Sequence, residues 1–238
     1  MKNIILASTS TLFGTNYLEY LKEELIVLYK GVHEIVFIPF ARPSGISHDE
    51  YTQKAQSFFN TIGIKVKGLH TFPDYANAIQ NAQGFFTGGG NTFVLVKQLH
   101  ENNLMSILKD TVVKGRPYLG CSAGSNIGGI NMQTTNDMPV VYPPSFKTMG
   151  LVPFNINPHF IDADAQSKHM GETRDTRVQE FLAFNQIPVV GLREGSWISV
   201  YDERIMLKGD LPAKIFENNK VPYELQPNTF IDTHATGA

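Results

Sequence analysis

Gly120-Cys121-Ser122-Ala123-Gly124 is the string in this sequence best suited to covalent chemistry. It follows the apolar run Pro117-Tyr118-Leu119 and leads into small residues, the pattern of a strand that turns abruptly into a helix with a serine hydroxyl projected from the tip. A tight turn with a hydroxyl helix cap is the plainer reading of the same residues. Cys121 is a rival nucleophile, since a thiolate attacks carbonyls well once ionised. The register disfavours it: the middle position, Ser122, takes the tip, and Cys121 ends the strand with its side chain toward the core.

A serine needs a base. Of seven histidines, His33 and His70 border strands, His100 lies late in a helix, and His234 is in the tail, so packed or solvated roles suit them. His48 and His169 carry no distinguishing context. His159, in Asn155-Ile156-Asn157-Pro158-His159-Phe160, follows a strand pattern, and the preceding proline stiffens the turn that would aim its imidazole. The imidazole in turn needs a carboxylate to orient it. Glu194, after the run Val189 to Leu192 and before Gly195, is one candidate, and Asp137, in the polar turn Thr134-Thr135-Asn136-Asp137, is the other. The residues alone do not rank them.

Acyl transfer also needs donors for an oxyanion. Gly88-Gly89-Gly90-Asn91, after a strand, can turn successive amides into one cleft, and the Ala123 amide follows the nucleophile directly. A phosphate loop is the alternative for these glycines, but neither G-x-x-x-x-G-K-[ST] nor an early G-x-G-x-x-G is present. Asn91 is placed to cap a helix at the cleft and counts as a substrate-binding candidate. Arg174 stands in the first turn of a helix that Thr173 would cap. A cation there opposes the helix dipole, so it calls for a carboxylate, either a local one such as Glu172 or one on an acidic substrate.

These groups need a scaffold that brings loop ends together. Asn3 to Ala7 reads as a buried strand, and Leu18, Leu21, Leu25 and Leu28 form a helical stripe that Gly31 stops. Glu34 to Ile38 is a second strand, and Ser47-x-x-Glu50 is a capping box opening a helix with Tyr51, Ala55, Phe58, Phe59 and Ile62 on its inner face. Ile64 to Leu69, Tyr75 to Asn81 and Gly84 to Thr87 continue the alternation of strand and helix. Asn91 caps a helix through about Leu99. The last third, with apolar runs at 188–192, 196–200 and 204–207, suggests antiparallel hairpins at an edge. The fold class expected is therefore α/β, a mostly parallel sheet with helices on both faces, with ligands outside the carboxyl ends of its strands.

Composition narrows the partners. The 238 residues are 42% apolar and 18% charged, enough for a sizeable core, and no linker or repeat divides them, so a single domain over 1–238 is expected. Twenty Lys and Arg against 22 Asp and Glu give a formal charge of -2, with no net field for nucleic acid or an anionic membrane. One cysteine fits a reducing compartment and excludes a thiolate metal cluster. The apolar stretch near the start is shorter than a signal peptide's core of roughly 7–15 residues, and no run approaches the roughly 20 needed for a spanning helix. A cytoplasmic location follows as an expectation.

Taken together, FIPFA (Phe37 to Ala41), GGGNTF (Gly88 to Phe93), the SAG core (Ser122 to Gly124), TTNDMP (Thr134 to Pro139), INPHF (Ile156 to Phe160), GETR (Gly171 to Arg174) and the E-G-x-W turn from Glu194 resemble peptidase E, the α-aspartyl dipeptidase family of serine peptidases. The resemblance covers most of the chain. It implies a class I glutamine-amidotransferase-like fold and metal-free, cofactor-free hydrolysis of dipeptides with an N-terminal aspartate, by a monomer or homodimer. It implies Ser122 as nucleophile, His159 as base, Glu194 as third member with Asp137 as another family acid considered for that role, Gly89 and Ala123 as oxyanion donors, and Arg174 on the aspartyl side-chain carboxylate. Cys121 departs from the bulky residue, such as Trp, expected there. A cyanophycinase-like peptidase, which would need an acid-lined cleft, and a non-catalytic acidic-peptide binding module are the alternatives. A glutamine amidotransferase would need cysteine at the tip.

Overall fold

In a computed structural model, which describes residues 1–163 and 171–232, the first two strands alternate between two buried faces. In β1 (Asn3–Ala7), Ile4 and Leu6 join one apolar cluster while Ile5 and Ala7 join another. The same division holds after α1 (Lys22–Leu28) for β2 (Glu34–Ile38), with Val36 and Ile38 on one side, Ile35 and Phe37 on the other. A strand buried on both faces belongs inside a helix-covered parallel sheet. α2 (His48–Phe59), opened by the Ser47–Glu50 capping box, lies with α1 against the Ile5 side through Tyr51, Ala55 and Phe59. After β3 (Lys65–Gly68), the elements α3 (Tyr75–Asn81), β4 (Phe85–Thr87), α4 (Thr92–Glu101), α5 (Leu104–Val113) and β5 (Tyr118–Cys121) complete the alternation. Ile79, Leu95, Leu99 and Leu108 cover the Ile4 side. All four leucines of the 18–28 stripe are buried, although its first turn is a 3₁₀ segment, Glu19–Leu21. Burying each contributes about 1.5–3 kcal/mol.

The remaining elements are a short α6 (Ala123–Asn126), β6 (Asn155–Pro158), α7 (Arg174–Phe184), β7 (Val189–Leu192), β8 (Ser196–Tyr201), β9 (Arg204–Gly209), β10 (Ala213–Phe216) and β11 (Tyr223–Leu225). The main sheet runs β3-β2-β4-β5-β1-β8-β9, its first five strands parallel and the β8–β9 hairpin antiparallel at the edge. The expected mostly parallel sheet with helices on both faces and antiparallel edge strands is thus observed. The run at 188–192, however, leaves the hairpins for a second, four-stranded sheet in the order β11-β10-β7-β6, where β7 is parallel to β6 and antiparallel to β10. Ile156, Val190, Leu192 and Ile215 sink this second sheet into the Ile4-side core. No helix among the described residues is long and apolar enough to cross a membrane.

Candidate active site

Ser122 occupies the abrupt turn between β5 and α6 with φ 55° and ψ −110°. A non-glycine residue held at such angles stores on the order of 1–3 kcal/mol of strain, which only a tightly determined surrounding maintains. The surrounding is visible. A Cβ on Gly120 would strike the Gly124 carbonyl, and one on Gly124 would strike the Thr87 carbonyl of β4, so both flanking glycines are required by close backbone approach. The Ser122 amide donates to the Ala7 carbonyl at 3.0 Å, Ser125 Oγ donates to Ala7 and Gly120 carbonyls at 2.6 and 2.8 Å, and Tyr118 Oη donates to Gly124 O at 2.8 Å. Cys121 faces the other way, fully buried beside Ile5, Phe37 and Leu119, and burial pushes its thiol far up. A thiol kept neutral in apolar surroundings is a poor nucleophile.

The parallel pair β6–β7 aligns Pro158 with Leu192, so the chain leaves the ends of adjacent strands at His159 and at Arg193-Glu194. His159 Nε2 lies 2.9 Å from Ser122 Oγ and His159 Nδ1 lies 2.8 Å from Glu194 Oε1. With a carboxylate as its acceptor, Nδ1 carries the proton of the neutral ring, which leaves Nε2 to accept from the serine. Arg193, beside Glu194, clamps the two strand exits: it makes paired bonds of 2.7–2.9 Å to Asp162 and Glu224 and a further one to Pro212 O.

Asp137 lies elsewhere in the hydrogen-bond pattern. Its Oδ2 accepts from the Thr92 amide at the start of α4, at 2.7 Å, and from Thr135 Oγ1 at 3.0 Å. The rest of its turn laces onto β6, with Asn136 Nδ2 donating to Pro158 O at 2.8 Å and Asn157 Nδ2 donating to Thr134 O at 2.8 Å. That lacing supports the peptide just before His159. Asn91 is committed to structure: Oδ1 caps α4 by accepting from the Val94 amide, and Nδ2 donates to Met138 O.

Gly89 stands against the serine, where an added Cβ would be 3.0 Å from Ser122 Cβ. Tyr51 Oη donates to the Gly89 carbonyl at 3.2 Å, and among the described residues the Gly89 amide has no backbone acceptor. Ala123 begins α6, so its amide has no intrahelical acceptor either. Arg174 opens α7 behind the Thr173 cap, half-buried. Burial, then Arg177, lowers its pKa, and among the described residues Glu172 pairs with Arg177 at 3.9 Å while no carboxylate pairs with Arg174. His70 Nε2 bonds Asp49 and His100 Nε2 bonds Lys147 O, consistent with packed roles. His169 and His234 lie outside the described residues. Among those described, no group of three or more His, Cys, Asp or Glu is placed to hold a metal ion.

Two participants escaped the sequence reading. The Ser8 hydroxyl, buried at the end of β1, receives the His159 amide at 2.8 Å, and Arg193 clamps the exits of β6 and β7. Ser8 stands at the head of the polar run that ends the first apolar strand, a position that could have drawn notice, whereas no local pattern pairs Arg193 with Asp162 and Glu224.

The model of peptidase family S51 matches residues 4–208. The chain is 45% identical over 229 residues to the protein named "Probable alpha-aspartyl dipeptidase" of Drosophila melanogaster, covering 95% of this chain and 94% of that one. It is 42% identical over 223 residues to "Peptidase E" of Streptomyces coelicolor, covering 94% and 90% respectively. Among solved structures, a peptidase from an acI-B1 Actinobacterium superposes with a TM-score of 0.69 over 97% of this chain and 96% of its own, at 16% identity, a likeness of fold.

Proposed function

The chain belongs to peptidase family S51, and from that premise we propose that it is a serine-type dipeptidase that hydrolyses dipeptides bearing an N-terminal aspartate. The observation that carries the reading is the relay from Ser122 Oγ through His159 to Glu194, with links of 2.9 and 2.8 Å, built on a strained strand-to-helix turn. In the proposed reaction His159 Nε2 takes the hydroxyl proton as Ser122 Oγ attacks the peptide carbonyl. Glu194 holds the ring in the required tautomer and stabilises the imidazolium. The Gly89 and Ala123 amides receive the oxyanion, His159 returns its proton to the leaving amine, and water then resolves the aspartyl ester.

Arg174 is proposed to bind the substrate's side-chain carboxylate; its half-buried guanidinium without a described carboxylate partner supports this. Asp137 and Asn91 serve α4 and the glycine loop. The reading extends to one catalytic domain over 1–238, acting in the cytoplasm as a monomer or homodimer on small peptides, with no nucleic-acid or membrane partner, for which the formal charge of -2 speaks.

The test is release of free aspartate from Asp-Leu, with Asn-Leu and Leu-Leu as controls. Turnover should favour Asp-Leu over Asn-Leu by about a hundredfold or more, because an amide leaves the guanidinium imperfectly paired. Equal rates on the two would remove Arg174 from this role, and a folded enzyme inert toward Asp-Leu would remove the substrate reading.

A further inference from the structure

We infer that Ser8 is a positioning residue that sets the catalytic histidine in register with the nucleophile. The inference rests on Ser122, His159 and Glu194 acting as the catalytic set.

Ser8 follows the last residue of β1 and is completely buried. Its Oγ donates to the Leu192 carbonyl at 2.8 Å and accepts from the His159 amide at 2.8 Å. Its own amide donates to Ser196 O at 3.1 Å, which anchors it to β8, the neighbour of β1 in the main sheet. The residue before it, Ala7, pairs with Cys121 and accepts from the Ser122 amide. Two consecutive residues therefore grip both partners of the proton transfer, Ala7 through the nucleophile's amide and Ser8 through the base's. The Leu192 carbonyl lies two residues before Glu194, so the third member hangs from the same joint.

The need for such a joint follows from the architecture. Ser122 rises from the main sheet, whereas His159 and Glu194 leave the second sheet, and among the described residues no ladder hydrogen bond between the two sheets fixes their distance. His159 moreover has φ 54°, a conformation a non-glycine residue keeps only when it is held there. A hydroxyl suits the position because it donates and accepts at once. Leu192 O also accepts from the Phe160 amide at 3.1 Å, so removing the hydroxyl leaves Leu192 O with one partner and takes away the one the structure gives His159 N–H. The consequence would be a mobile imidazole rather than a lost binding contact.

The test uses Ser8→Ala, Ser8→Cys, which puts a somewhat larger thiol, only a weak donor, in the hydroxyl's place, and Ser8→Thr, which keeps a hydroxyl. Each is measured for kcat and KM on Asp-Leu, for the rate of labelling by a fluorophosphonate, which reports Ser122 activation without the substrate, and for Tm. The alanine and cysteine variants should lose about a hundredfold in kcat and in labelling, as misplacement of the order of 1 Å does, with KM within about threefold. Ser8→Thr should recover at least about tenfold of that loss. Variants within about threefold of wild type in both rates, or a rise in KM alone, would overturn the inference; where Ser8→Ala does not fold, the cysteine variant decides. A wild type that labels but ignores Asp-Leu refutes the substrate reading and leaves Ser8 judged by labelling. A folded wild type that does neither overturns both.

Discussion

At the scale of single residues, the two carboxylates differ in what they hold. Glu194 meets the imidazole, and Asp137 meets a helix-start amide. Glu194→Gln should therefore lower kcat by about a hundredfold or more, because an amide can present the wrong group to Nδ1 and cannot balance an imidazolium. Asp137→Asn should change kcat less than about fivefold while costing about 1 kcal/mol of stability, the typical worth of a helix cap. Kinetics on Asp-Leu beside thermal unfolding separate the two, and the opposite pattern would exchange their roles. Cys121 supplies a second contrast. Its buried thiol, pushed far up by desolvation, should resist iodoacetamide at pH 8 in the folded enzyme and react only on unfolding, and Cys121→Ala should keep catalysis. Fast alkylation accompanied by loss of activity would reopen the thiol as nucleophile.

At the scale of elements, the elbow depends on two strands, β4 and β5, and the helix α6 approaching closer than side chains permit. Gly124→Ala drives a methyl into the Thr87 carbonyl of β4, which cannot withdraw without breaking its ladder, so the variant should lose about 3 kcal/mol. For a chain of this length that is a Tm fall of about 6 °C or more, and an unchanged Tm would show that β4 and α6 can separate freely. Elements whose signals are local were legible from the residues: the Ser47–Glu50 box, the Asn91 and Thr173 caps and the β5–Ser122 turn all stand where their patterns place them. α5 carries a helical signal too, with Leu104, Leu108 and Val112 four residues apart, but the expected alternation of strand and helix leaves no place for a second helix between β4 and β5. The second sheet had no such signal. β6 and β7 lie about thirty residues apart, and their parallel pairing comes from shared burial, which a short apolar run does not announce.

At the scale of the whole molecule, the proposed catalytic set is drawn from two sheets that meet at the end of β1. The main sheet carries the proposed nucleophile, Ser122, and, in the loop after β4, the proposed oxyanion donor Gly89. The second places the proposed base, His159, and its carboxylate partner, Glu194, at neighbouring strand exits. Ser122 and His159 were legible because each carries a local pattern, a glycine-flanked turn and a proline-stiffened strand end. The choice between Glu194 and Asp137 was not, since it depends on which loop the second sheet brings to the imidazole. The most direct measurement is aspartate release from Asp-Leu by wild type and by Ser122→Ala, side by side in the presence of a chelator. The account predicts turnover by the wild type and a loss of at least about a thousandfold in the variant, the scale on which a serine nucleophile's removal is felt. Turnover that survives Ser122→Ala at a comparable rate would contradict it.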